Sequence, residues 1–139
     1  MLFSLDRNRK SANALLGLGL LLPLTIPGCG SPEVAVIAPV DSDKARGILT
    51  NALDAWKAGK DSNSLASQSP SVRVADEDWL AGMQLVSYEV DPKEKCQVIG
   101  TGLSCPVSIS LKDKAGKALK KRVSYNVVAE PNPSVIRQD

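Results

Sequence analysis

The chain has 139 residues, a formal net charge of +2, 23% charged residues and no histidine. That length admits one domain behind any leader. The missing histidine removes the usual general base near neutral pH and the commonest metal ligand, and the small net charge gives no general electrostatic case for nucleic acid.

Residues 1–28 fall into three parts. Arg7, Arg9 and Lys10 make a basic start, an apolar run follows from Ala14 to Leu24, and Thr25-Ile26-Pro27-Gly28-Cys29 closes it. The run is about half of the roughly 20 residues that a spanning helix needs, so it predicts a cleaved signal peptide and not a membrane span. Two readings of the cut stand at this point: an ordinary secretory site near Gly28 or Gly30 with Cys29 incidental, or a cut tied to Cys29. Losing residues 1–28 removes Arg7, Arg9, Lys10 and Asp6, which takes the net charge from +2 to zero.

The segment Ile26-Pro27-Gly28-Cys29 resembles the lipobox of bacterial lipoproteins: an aliphatic residue, a small-to-medium residue, Gly or Ala, then an invariant Cys. Proline in the second place departs from the commoner pattern. The resemblance implies a diacylglyceryl thioether on Cys29, cleavage before it and often an N-acyl chain, so the implied partner is a membrane reached through lipid. A buried methylene contributes about 0.8 kcal/mol, and two or three acyl chains anchor stably where one does not. Gly30, in place of Asp after the cysteine, resembles cargo of the outer membrane and favours it over the inner membrane of a bacterial envelope. Residues 29–41 are then the lipidated Cys and a flexible tether. Gly30 to Val40 holds Pro32 and Pro39, has no helical period, and reaches at most about 40 Å. The other reading of the tether is a first strand at 34–38.

Residues 42–139 predict a single α+β domain. Ala45, Ile48, Leu49, Ala52, Leu53 and Trp56 fall on one helical face, so a helix is expected from Ser42 to Ala58, capped near Asp41 and stopped by Gly59. A short second helix is expected over Ser62–Gln68, with Leu65 as its one strong apolar anchor, closed by Pro70. From Ser71 the apolar period becomes two. Strands are expected at Ser71–Ala75, at Met83–Val90 with Val86, Tyr88 and Val90 on one face, at Leu103–Leu111, and at Leu119–Ala129 with Val123, Tyr125 and Val127 on one face. Lys112 to Lys117 makes a hairpin turn, Pro131 and Pro133 break the chain, and Ser134–Arg137 offers a last short strand. Asp76-Glu77-Asp78 reads as a solvated turn. A helix first and strands after argue an amphipathic helix packed on a curved antiparallel sheet of four to five strands. The helix ending Trp56-Lys57-Ala58-Gly59 and this element order weakly resemble nuclear-transport-factor-2-like domains, which implies a helix pair lying in the cone of the sheet. The functions of that group are too diverse to carry over.

Gly100-Thr101, taken as a two-residue hairpin turn with glycine first, pairs Ile99 with Gly102, Val98 with Leu103, Gln97 with Ser104 and Cys96 with Cys105. The cysteines then form a non-hydrogen-bonded pair about 4.5 Å apart at Cα, within disulfide reach, and so small a loop contributes about 2.7 kcal/mol. The alternative is a buried Cys105 and an unpaired Cys96. Two thiols without an imidazole fall short of a zinc site. Gly100-Thr101-Gly102 lacks the lysine and helix of a phosphate loop, so no metal, cofactor or nucleic acid is implied.

The remaining chemistry lies in carboxylates, tyrosines and lysines. Tyr88 or Tyr125 with Asp76 or Asp78 would serve an isomerase- or dehydratase-like enzyme in a cone-shaped pocket, as the same resemblance implies. Otherwise both tyrosines are sheet residues with the hydroxyl at the rim. Trp56 and Trp79 read as core and core edge, with ligand stacking as the other role for Trp79. Lys112, Lys114, Lys117, Lys120, Lys121 and Arg122 form the one charge cluster, either a contact for an anionic surface or a soluble hairpin whose lysines block edge-to-edge pairing. The preferred expectation is a membrane-anchored, non-catalytic module that binds an envelope protein or small ligand or acts structurally, with no catalytic residue assigned.

Overall fold

A computed structural model describes residues 38–139; the leader, Cys29, the tether up to residue 37 and the alternative strand except its last residue, Ala38, lie outside the described residues. Among the described residues no helix is long and apolar enough to cross a membrane.

Helix α1 (Ser42–Lys57) follows the apolar spacing. Ala45, Leu49, Ala52, Leu53 and Trp56 are buried, while Lys44, Asn51, Asp54 and Lys57 face out. Asp41 caps it, its carboxylate accepting from the Lys44 N–H at 2.9 Å. At the far end Gly59 takes φ 78°, which lets its N–H reach the Trp56 carbonyl and the Lys60 N–H reach the Ala55 carbonyl. These two bonds satisfy carbonyls that the helix end would orphan.

The expected second helix shrinks to one 3-10 turn at Ser62–Ser64. Leu65 is its only buried apolar side chain, and Asp61 instead holds the Asn63 N–H. Serine and asparagine side chains compete for backbone groups, so one apolar contact does not sustain a longer helix here.

The strands are β1 (Arg73–Ala75), β2 (Gln84–Val90), β3 (Gln97–Ile99), β4 (Gly102–Lys112), β5 (Ala118–Val128) and β6 (Ser134–Gln138), with the short helix α2 (Glu77–Leu80) between β1 and β2. They form a curled sheet in the order β1-β6-β5-β4-β2, and β3 shares with β2 one edge of β4. The domain is therefore α+β, with α1 on the inner face. The sheet is mixed where an antiparallel one was expected: β1 pairs in parallel with β6, Arg73 opposite Ser134. A parallel neighbour needs a long crossover, and the whole stretch from α2 to β5 supplies it.

Alternation sets the core. Leu103, Cys105, Val107, Ile109 and Leu111 of β4 and Val123, Tyr125 and Val127 of β5 are buried beneath α1, and serines populate the other face of β4. In β2 the inward set differs from the expected one. A bulge between Leu85 and Ser87 inserts Val86, so Leu85 is buried, Val86 is exposed, and Tyr88 and Val90 still face in.

Gly102 lies under a cross-strand side chain. A Cβ there would clash with Asn126 Oδ1 and sit 3.2 Å from the Val127 carbonyl. Gly102→Ala should therefore destabilise the domain by about 1–3 kcal/mol in urea unfolding. Adding Asn126→Ala should shrink that penalty, since it removes the nearest clashing atom and a buried oxygen without a hydrogen-bond partner. Additive losses would contradict this packing.

Candidate functional site

The acidic run proves to be half interior. Asp76 and Asp78 are buried and Glu77 is exposed, in place of a wholly solvated turn. Asp76 is the N-cap of α2: its Oδ1 accepts from the Trp79 N–H at 3.0 Å, and its Oδ2 accepts from the Tyr125 hydroxyl at 2.5 Å. Arg137 of β6 stands opposite Tyr125 in the sheet. Its guanidinium pairs with Asp78, donates through Nε to Asp139 at 2.9 Å, and lies 3.8 Å from Asp76 and 3.7 Å from Glu77. Lys121, on the same inner face of β5, pairs with Asp78 at 2.9 Å.

These contacts decide the protonation states. Burial, and then the adjoining Asp76 charge, push the Tyr125 hydroxyl far above its ordinary pKa. Burial alone would raise Asp78, but hydrogen bonds from Lys121 and Arg137 outweigh it and hold the carboxyl below the usual range. Burial likewise opposes the charge on Arg137, and its bonds to Asp139 and Asp78 override that.

Of the pairings the sequence offered, Tyr125 does meet Asp76, but with its hydroxyl in the interior and not at the rim, and the cluster closes on itself. Both Asp76 oxygens are taken, Asp76 is 2% exposed and Tyr125 1%. Beside it lies an open polar depression of about 730 Å³, lined in part by Arg137, Lys121, Arg122 and Ser124; Tyr125 and Asp76 do not line it. The second pair is peripheral: Tyr88 donates to Asp54 of α1 at 2.6 Å, and burial with that carboxylate pushes its hydroxyl up to about 12. The space between helix and sheet holds indoles. Trp56 and Trp79 stack with centroids 5.2 Å apart and planes 3° from parallel, and they donate to the Met83 and Lys60 carbonyls. Stacked on Trp56, Trp79 is 7% exposed.

Cys96 and Cys105 form a disulfide with Cα atoms 4.4 Å apart, and the register beyond it is the expected one, Gln97 opposite Ser104 and Ile99 opposite Gly102. Gly100 takes φ 61°, the positive angle of a primed turn. Arg46 of α1 adds a contact the sequence did not signal, donating to the Asp91 carbonyl at 2.9 Å and approaching Cys96 Sγ at 3.0 Å.

The basic cluster divides. Lys121 is held by Asp78, and Arg122 pairs at 2.5 Å with Asp91, whose carboxyl that hydrogen bond holds below its ordinary range. Lys112, Lys114, Lys117 and Lys120 are exposed and, among the described residues, have no ion-pair partner. Asp113, at the turn, spends its carboxylate on the Ala115 and Lys117 N–H groups. Arg137 went unrecognised although its signal was present: it alternates with Val135 and so occupies an inward position of β6.

Comparison with protein families, curated proteins and solved structures finds no match.

Asp78 makes stability depend on acid. Its folded pKa lies below that of an ordinary aspartate, so its contribution is present above the unfolded pKa and is lost as pH falls through the folded one. Asp78→Asn should destabilise the protein at pH 7 by on the order of 2–3 kcal/mol, the scale of hydrogen bonds to charged groups. The gap between variant and parent should close towards pH 2 in thermal unfolding. A gap of constant size across that range would contradict the assignment.

Proposed function

We propose that the chain is a bacterial envelope lipoprotein, anchored by acyl chains on Cys29, whose described domain is a non-catalytic binding or structural module. The basic start, the short apolar run and Ile26-Pro27-Gly28-Cys29 support the anchor, and Gly30 supports the outer membrane as its destination.

One observation carries the non-catalytic half. An isomerase- or dehydratase-like reaction needs a tyrosine donor and a carboxylate base that both reach substrate. The buried pair spends its hydroxyl and both carboxylate oxygens on the protein itself, Tyr125 on Asp76 and Asp76 on the Trp79 N–H. Such an arrangement suits a structural joint between α2 and β5. The side on offer to an envelope protein or small acidic ligand is the hairpin of Lys112, Lys114, Lys117 and Lys120, whose ammonium groups have no ion-pair partner among the described residues.

Cys29→Ser decides the anchor. The parent chain should enter the detergent-rich phase on phase separation and carry acyl mass on its N-terminal peptide. The variant should move to the aqueous phase and carry none. Unchanged partitioning of the variant would overturn the proposal.

A further inference from the structure

The two ends of the described domain differ in character. At one lies the hairpin joining β3 to β4; at the other lies the lysine-bearing hairpin joining β4 to β5. The 11 residues of β4 separate them by roughly 33 Å at about 3.3 Å per residue.

The chain enters the domain at the first end. Asp43 pairs with Lys93 at 2.7 Å, Lys44 with Glu130, and Arg46 reaches the Cys96 sulfur, all within the first turns of α1. The helix ends towards the start of β2, where Trp56 donates to the Met83 carbonyl. The sequence that carries Cys29 therefore joins beside the β3–β4 hairpin, and Cys29 precedes the Asp41 cap by about 43 Å of fully extended chain at most.

That hairpin displays two uncovered aliphatic side chains. Val98 is 59% exposed and Ile99 49%. Neighbours along a strand point to opposite faces, so the tip is apolar on both sides. The Cys96–Cys105 bond holds its base together. Charges around this end are largely paired: Lys93 with Asp43, Lys44 with Glu130, and Lys95 at 3.7 Å from Asp91. The opposite end carries the four lysines that have no ion-pair partner among the described residues.

We infer that the β3–β4 hairpin is a second membrane contact, with Val98 and Ile99 entering the interfacial zone of the bilayer that holds the lipid on Cys29, and the lysine end turned away from it. The inference rests on the lipoprotein reading. Apolar side chains settle at the boundary of headgroups and acyl chains. An anchor already in the bilayer keeps the hairpin at high local concentration, so a small apolar tip is sufficient where a free domain would need more. The disulfide lets the tip enter as a unit without loss of β3.

The test uses the full lipidated chain in vesicles of phosphatidylethanolamine and phosphatidylglycerol, with and without bromine-labelled acyl chains. Ile99→Trp and Val98→Trp report from the two sides of the tip, and Leu119→Trp reports from the lysine end, where Leu119 is 41% exposed. Emission of the unsubstituted protein, from buried Trp56 and Trp79, is the baseline, and flotation with the vesicles reads the anchor. All three variants should float. A tryptophan at position 98 or 99 should shift to the blue and lose emission to bromine, and one at 119 should do neither. Floating protein with no quenching at either tip position overturns the contact and leaves the anchor standing. Quenching at 119 overturns the orientation. Protein that does not float overturns anchor and contact together.

Discussion

The interior is organised by two indoles lying flat against each other. Trp56 comes from the last turn of α1 and Trp79 from α2, and their stacking brings two separate segments together over the inner face of the sheet. Aromatic residues are few, 4% of the chain, so each one matters. Every aromatic side chain of the described domain also places its polar atom on another element or loop: Trp56 on the Met83 carbonyl, Trp79 on the Lys60 carbonyl, Tyr88 on Asp54 and Tyr125 on Asp76. Large apolar area is buried without leaving a polar tip orphaned, which is the condition for using Trp and Tyr in a core.

Charge does for the strand edge what the indoles do for the centre. Arg137 gathers carboxylates from α2 and from Asp139, and Lys121 completes the pairing of Asp78. A lone buried carboxylate on α2 would be strongly unfavourable; one hydrogen-bonded by two cations is tolerated, and removing either cation leaves its burial only partly compensated. The cluster has the residue types of a catalytic site and the connectivity of a joint. Residue types alone therefore say little about what these particular groups do.

How much of this was legible depended on how far each feature's cause lies along the chain. The spacing from Ala45 to Trp56 contains its own explanation, and α1 formed where expected. The alternation from Leu103 to Leu111 is equally local. Counting outward from Gly100-Thr101 gave the register of β3 on β4 and hence the Cys96–Cys105 bond. Failures came where a remote partner decides. Asp76 and Asp78 look solvated until Tyr125, Lys121 and Arg137 arrive from strands made much later. The bulge at Val86 depends on matching β2 to β4, and a period-two count within β2 has no term for it. Arg46 beside the disulfide joins residues that no pattern links.

The parallel pairing of β1 with β6 bears on the order of assembly. Arg73 must wait for Ser134, so the outermost strand has no neighbour until nearly all the rest of the domain has been synthesised. Contacts between residues so distant in sequence form slowly, because a long loop must close before any bond rewards it. Because β6 lies between β5 and β1, the strand made last decides when the sheet reaches its full width.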